Sequence, residues 1–270
     1  MLRRVGVYVT VLGSGSGGNC TLIESATTRI LVDAGLSGRQ ITERLATIGR
    51  TLSEINGIIL THEHGDHTRG LAPLCRAHAL PVYANRLTAE AVSDDVPTTG
   101  KSRVSWRLFA TGSPFEIGDW RVESFSVPHD AYDPVGFVIT QASSGVRVGV
   151  LTDLGHPTKL VIERLRETDI LVIEANHDLK MLQDDTARPW ATKQRIMSRH
   201  GHLSNDAAAE LAGEVVSDRL RHLFLAHLSR DCNRPELARE VVHAHLAKRG
   251  ARQLAIHVAS QDVPTSTASV

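Results

Sequence analysis

An apolar strand that empties into a run of ligand-bearing residues, GIILTHEHGDH over residues 57–67, leaves few folds open to this chain. Residues 57–61 show no polar alternation and read as a strand buried on both faces. His62, His64, Asp66 and His67 then fall within six positions. In extended backbone, residues two apart point the same way, so His62 and His64 can share one cation. Asp66 and His67, at the turn into the next helix, can face a second. A site with two ions a few Å apart is then reasonable at the edge of a sheet. A chance polar loop explains this density poorly, because strand, loop and helix occur in the order such a site needs.

One loop cannot complete two coordination shells, and other strand ends offer more ligands. His129 follows VESFSVP, Asp153 follows VRVGVLT and His227 follows RHLFLA. Taken singly each is an ordinary turn residue; as an ordered set after H-x-H-x-D-H they belong together. Five imidazoles and two carboxylates without a thiolate suit zinc, manganese, iron or cobalt and do not choose among them.

The glycine loop VLGSGSGGNC raises a competing possibility. Gly13, Gly15 and Gly18 fit G-x-G-x-x-G, and Asp33 lies twenty residues after Gly13. That dinucleotide fingerprint needs a helix opening after the third glycine. Residues 20–24 and 30–33 read as strands instead, so the fingerprint fails. The glycines are expected to form a tight turn that lets backbone approach the site and offers N–H groups to an anion.

Strands are expected at 5–12, 20–24, 30–33, 57–61, 103–109, 120–127, 135–141 and 146–151, and in LPVYA, DILVIEA, HLFLAH and QLAIHV. Helices are expected at 38–48, 68–79, 87–93, 157–167, 187–199, 204–216 and 234–248. The layer solution for this order is an α/β sandwich of αββα type: two mixed sheets packed face to face, flanked by helices. One domain is expected over 1–261, with the small, polar residues 262–270 a disordered tail. Thirty basic residues balance thirty acidic ones, so bulk charge advertises no partner. Three separated cysteines suit a reducing cytoplasm. The opening MLRRVGVYVTVLG reads as a first strand rather than a signal peptide, and no run is long enough for a membrane span.

With Asp33, His62-x-His64-x-Asp66-His67, His129, Asp153 and His227 in this order, the chain resembles the metallo-β-lactamase-fold hydrolases over nearly its whole length. The blocks GSGSGGNCTLIE, LVDAGLSGRQI, THEHGDHTRGL, PHDAYDPVGFVI, LTDLGH, EANHD, GHLSND and AHLSRDCNRPELA resemble the YycJ/WalJ-like branch. The resemblance implies His62, His64 and His129 on one divalent ion (zinc, manganese or iron), Asp66, His67 and His227 on another, and Asp153 bridging both. It implies that Asp33 orients the histidine loop rather than binding metal. It also implies a metal-dependent phosphodiesterase acting on nucleic acid, a DNA exonuclease, with a hydroxide held between the ions as nucleophile.

Asp66 can orient that nucleophile. His202 precedes His227 by twenty-five residues, a spacing resembling that of the phosphate-contacting histidine of the phosphodiesterase branches, and is expected to stabilise the transition state or protonate the leaving group. It also opens a helix capped by Ser204. Arg188, Lys193, Arg195 and Arg199, with no acid between Ala187 and Asn205, can form a basic face for a nucleic-acid backbone or a solvated helix surface. An RNA-processing endonuclease, a small-molecule phosphodiester or thioester hydrolase and a non-catalytic scaffold are the alternatives.

Overall fold

The protein is described by a computed structural model covering residues 6–95, 104–251 and 253–270. Residues 5 and 103, which open two of the expected strands, lie outside the described residues. The first half contains β1 (Tyr8–Gly13), β2 (Cys20–Glu24), β3 (Arg29–Val32), α1 (Gly38–Thr47), β4 (Gly57–Ile59), α2 (Gly65–Thr68), α3 (Leu71–Ala77), β5 (Pro81–Asn85), α4 (Arg86–Asp95) and β6 (Ser105–Phe109). The second contains β7 (Phe115–Ile117), β8 (Trp120–Ser126), β9 (Val135–Gln141), β10 (Arg147–Leu151), α5 (Lys159–Leu165), β11 (Ile170–Glu174), α6 (Leu179–Asp184) and α7 (Trp190–Ile196). It continues with α8 (Asn205–Val215), β12 (His222–Ala226), α9 (Pro235–Lys248), β13 (Ala255–Val258) and β14 (Ala268–Ser269).

Two seven-stranded sheets result, ordered β14-β1-β2-β3-β4-β5-β6 and β13-β12-β11-β10-β9-β8-β7. Both are mixed. From β3 to β6 and from β10 to β13 neighbours run parallel, while the hairpins β1-β2-β3 and β7-β8-β9-β10 are antiparallel. Side-chain alternation sorts the core into layers. Ile30 and Val32 on β3, with Ile170 and Val172 on β11, fill the space between the sheets. Leu31 faces the helices outside the first sheet, and Leu171 and Ile173 those outside the second. The αββα arrangement expected from the sequence is therefore the one observed.

Local chemistry fixes where helices begin. Ser37 and Gln40 form a capping box on α1, Ser204 caps α8 through the Ala207 amide, and Pro235 opens α9. The helix expected over 68–79 is shorter, α3 alone (Leu71–Ala77), and a separate turn, α2, ends at Thr68 before it. Gly70 donates its amide to the Ala34 carbonyl at 2.7 Å, and a Cβ there would stand 2.3 Å from the Leu36 carbonyl oxygen. The expected disordered tail is a correction: β14 pairs antiparallel with β1, placing Ala268 opposite Val9. The open edge of β1 offers unpaired backbone groups, and Val7 and Val270 exchange hydrogen bonds of 2.9 and 3.1 Å. Strand β7 and helix α6 have no counterpart among the expected elements.

Candidate metal centre

The strand ends of both sheets converge on one edge. Among the described residues, four non-glycine residues have positive φ, and three of them, Asp33 (63°), Asp153 (55°) and His227 (53°), stand just past β3, β10 and β12. Asp and His tolerate this conformation better than most residues. It still costs on the order of 1–3 kcal/mol each, so surrounding contacts must hold it. The turn aims each side chain across the strand ends, toward the loop that follows β4.

All seven expected ligands meet there. Ligand atoms of His62, His64 and His129 lie within 4.8 Å of one another, as do those of Asp66, His67 and His227. His64 Nδ1 stands 3.4 Å from His129 Nε2, and His227 Nε2 stands 3.3 Å from Asp66 Oδ2. Asp153 sits between the two trios: Oδ2 is 3.0 Å from His67 Nε2, and Oδ1 is 3.5 Å from His227 Nε2 and 3.9 Å from His129 Nε2. Two buried atoms decide whether the donors fit a cation. His62 Nε2 and Asp153 Oδ2 have no hydrogen-bond partner, although leaving such atoms unpaired costs about 1–3 kcal/mol. The contact between Asp153 Oδ2 and His67 Nε2 is close without hydrogen-bond alignment, as expected of ligands facing a shared ion rather than each other. These His and Asp clusters can hold divalent metal ions.

A second layer orients the first. Asp33 Oδ1 accepts the Thr61 amide at 2.9 Å and Oδ2 contacts His67 Nδ1 at 2.8 Å. With Nδ1 bonded to a carboxylate, His67 turns Nε2 toward the centre. Glu174, fully buried at the end of β11, accepts from the Leu154 and Leu203 amides at 2.9 and 3.0 Å through Oε2. Its Oε1 meets His202 Nδ1 at 2.7 Å and His227 Nδ1 at 3.0 Å. Sequence reasoning missed Glu174. Its signal was an acid closing the otherwise apolar ILVIE, a position with no water to solvate it. Asn176, which also follows β11, donates to the His227 carbonyl at 2.9 Å.

The electrostatics favour a positive guest. Burial, then the neighbouring His67, push the His62 imidazole well below its usual pKa, and burial lowers His129 too. Burial also opposes charge on His67, but Asp33 and Asp153 outweigh it and lift His67 to about 10. Burial would raise Asp153, yet His227 and His67 hold it well below the carboxylate range. Ionised carboxylates here draw cationic charge, which protons or metal can supply.

The structure engages two of the four residues of the basic stretch internally. Lys193 is buried with its ammonium donating to the Gln183 carbonyl at 2.7 Å, and Arg188 is tied to Asp185 and Asp231. The acids that neutralise this stretch come from outside it, so both residues are corrected to structural roles. Arg195 pairs with Asp130 beside His129, and Arg199 contacts His156 Nε2 at 2.7 Å. The glycine loop is corrected as well. The amides of Ser14, Gly15, Gly17 and Gly18 are bonded to Ser260, Asn19, Gln261 and Gly15 respectively, so they are not offered to an anion.

Residues 28–228 match the family described as the beta-lactamase superfamily domain. The chain belongs to that family. This β-lactamase superfamily member is 35% identical over 267 residues to the exodeoxyribonuclease YycJ of Bacillus anthracis, a match covering 97% of this chain and 98% of that protein. It is 34% identical over 247 residues to the exodeoxyribonuclease WalJ of Streptococcus pneumoniae, covering 92% and 91%. The metallo-beta-lactamase fold protein YhfI from Bacillus subtilis superposes with a TM-score of 0.74 at 18% identity, over 99% of this chain and all of that one. The family and fold suggested by the ordered motifs are thus the ones found.

Proposed function

We propose that this superfamily member is a metal-dependent phosphodiesterase that degrades nucleic acid, acting as a DNA exonuclease. The observation that carries the reading is the pair of ligand trios sharing Asp153, with His202 beside them. Its ring stacks on that of His227, with centroids 5.2 Å apart. Full-length similarity to two exodeoxyribonucleases supports nucleic acid as the substrate. In this reading His62, His64 and His129 would hold one ion, Asp66, His67 and His227 the other, and Asp153 would contribute to both. Two bound divalent ions, zinc, manganese or iron, supply an acidified water and neutralise charge on the phosphoryl group.

The remaining steps belong to side chains. Asp66 Oδ accepts a hydrogen bond from the attacking water and points it at phosphorus. His202 has Nδ1 fixed by Glu174, which leaves Nε2 to face a phosphoryl or leaving oxygen. Burial opposes charge on His202, but Glu174 raises its pKa above the ordinary imidazole value. In that position His202 is placed to donate an Nε2 proton to the departing oxygen. Arg195 and Arg199 remain at the rim as candidates for the substrate backbone. The three cysteines are buried free thiols, which supports a cytoplasmic enzyme. No helix among the described residues is long and apolar enough to cross a membrane.

The test is incubation of metal-loaded protein with 5′- and 3′-labelled single- and double-stranded DNA and RNA, alongside a small phosphodiester. Stepwise shortening of DNA is expected. Turnover of the small ester alone overturns the nucleic-acid reading, and internal cuts in RNA replace it with an endonuclease. Asp66→Ala and His129→Ala are expected to abolish turnover, and Glu174→Gln to lower kcat about 100-fold with little change in KM.

A further inference from the structure

The C-terminal segment that follows β13 does more than close a sheet edge, because it lies on the glycine loop behind the metal centre. Gln261 Oε1 accepts the Gly17 amide at 2.7 Å and its Nε2 donates to the Gly18 carbonyl at 2.9 Å. The Gln261 carbonyl accepts from Arg44 Nη2 at 2.9 Å, and the Ser260 carbonyl accepts the Ser14 amide at 3.0 Å. The approach is close: a Cβ at Gly15 or Gly17 would stand 2.7 or 2.8 Å from Gln261 Oε1 and push that side chain aside, and at Gly15 the φ of +141° itself favours glycine.

The clamped loop touches ligands from both sheets. Ser14 Oγ accepts the His227 amide at 2.7 Å and donates to Asn19 Oδ1 at 2.7 Å. Asn19 Oδ1 also accepts the Gly15 amide at 3.0 Å. Two donors on Oδ1 settle the orientation of the Asn19 amide, so Nδ2 faces His67 Nε2 at 3.1 Å. The Asn19 amide donates to the Asp66 carbonyl at 2.7 Å. Asp66 and His67 follow β4 of the first sheet, whereas His227 follows β12 of the second. Among the described residues, no hydrogen bond joins this loop to His62, His64 or His129.

We propose that Gln261 is a positioning residue of the metal centre: by clamping the Ser14–Asn19 loop it sets the spacing of Asp66, His67 and His227, and so tunes one ion site without the other. The proposal rests on the two-ion reading above, and the experiment separates the two. Zinc is titrated into full-length, metal-stripped protein against a chromophoric chelator. Wild type is expected to bind two ions. In a His64→Ala background, which leaves the Asp66–His67–His227 site, adding Gln261→Ala is expected to weaken zinc roughly three- to tenfold, and adding Ser14→Ala about 10- to 100-fold. In a His227→Ala background, which leaves the other trio, Gln261→Ala is expected to change nothing. Equal weakening in both backgrounds, or none in either, overturns the proposal while the two-ion reading stands. A single ion bound by wild type overturns that reading and the proposal with it. Matching apo-protein melting of Gln261→Ala and wild type assigns any loss to positioning rather than to folding.

Discussion

His177 shows how burial at a single residue near the site reaches the behaviour of the whole protein. It follows β11 and forms an isolated bridge with Ser204, and its Nδ1 is buried without a partner. Burial is the largest influence on it and lowers its pKa from 6.5 to about 4. The folded state therefore binds fewer protons than the unfolded state between these values. Stability from a neutral His177 is complete above pH 6.5 and is lost as pH falls toward 4. The full difference is about 3 kcal/mol. We expect His177→Leu to leave stability unchanged at pH 8 and to flatten its decline between pH 6.5 and 4, measured as urea midpoints across that range. Equal slopes for the two proteins would contradict the assignment. Glu174 is a parallel case with a different remedy, since four hydrogen-bonding contacts, two from amides and two from imidazoles, keep its buried carboxylate ionised.

Between elements, the connections rather than the strands decide whether ligands meet. Gly35, just past β3, lies against the loop that carries Asp66, and a Cβ there would stand 1.6 Å from the Asp66 carbonyl oxygen. Gly65, in the same ligand loop, has nothing within 4 Å of such a Cβ. Gly35→Ala is expected to destabilise the apo-protein by roughly 3 kcal/mol or more and to weaken zinc binding, whereas Gly65→Ala is expected to stay within about 1 kcal/mol. Thermal unfolding and zinc titration of the two variants check this, and similar results for both would remove the packing explanation. These connections also mark where sequence reading succeeded and failed. His62, His129, Asp153 and His227 were legible as a set, because donors at the ends of several apolar strands in the order that follows H-x-H-x-D-H are not independent, although each alone reads as an ordinary turn residue. Strand β7 and helix α6 are short and carry weak periodicity, and β14 exists only because the edge of β1 is there to receive it. Arg188 and Lys193 looked available because local sequence does not reveal Asp231 or the Gln183 carbonyl.

Across the whole molecule, the centre spans the interface between two sheets that meet largely through apolar side chains, with a few polar ties such as Trp120 Nε1 donating to the Thr28 carbonyl at 3.2 Å. His62, His64, Asp66 and His67 follow β4 of the first sheet; His129, Asp153 and His227 follow β8, β10 and β12 of the second. Layer order and core were legible from strand and helix periodicity, since each sheet had to bury both faces. Convergence of the ligands was legible only as chemistry, through donors that no single loop could use. In the proposed reading, ions held by both sheets would act as a cross-link present in the folded chain and absent from the unfolded one, where the ligands are scattered over more than 160 positions. Metal at 100 times its dissociation constant then stabilises the fold by about 2.7 kcal/mol per ion. For a chain of this size, that corresponds to a rise in Tm of roughly 5–10 °C per ion. Stripping metal with a chelator is expected to lower Tm by at least this amount, with full recovery on adding zinc or manganese. Asp66→Ala/His129→Ala protein, with each trio broken, is expected to melt at one temperature with or without chelator. A chelator-induced drop in that double variant equal to that of wild type would show that the stabilising ion sits elsewhere.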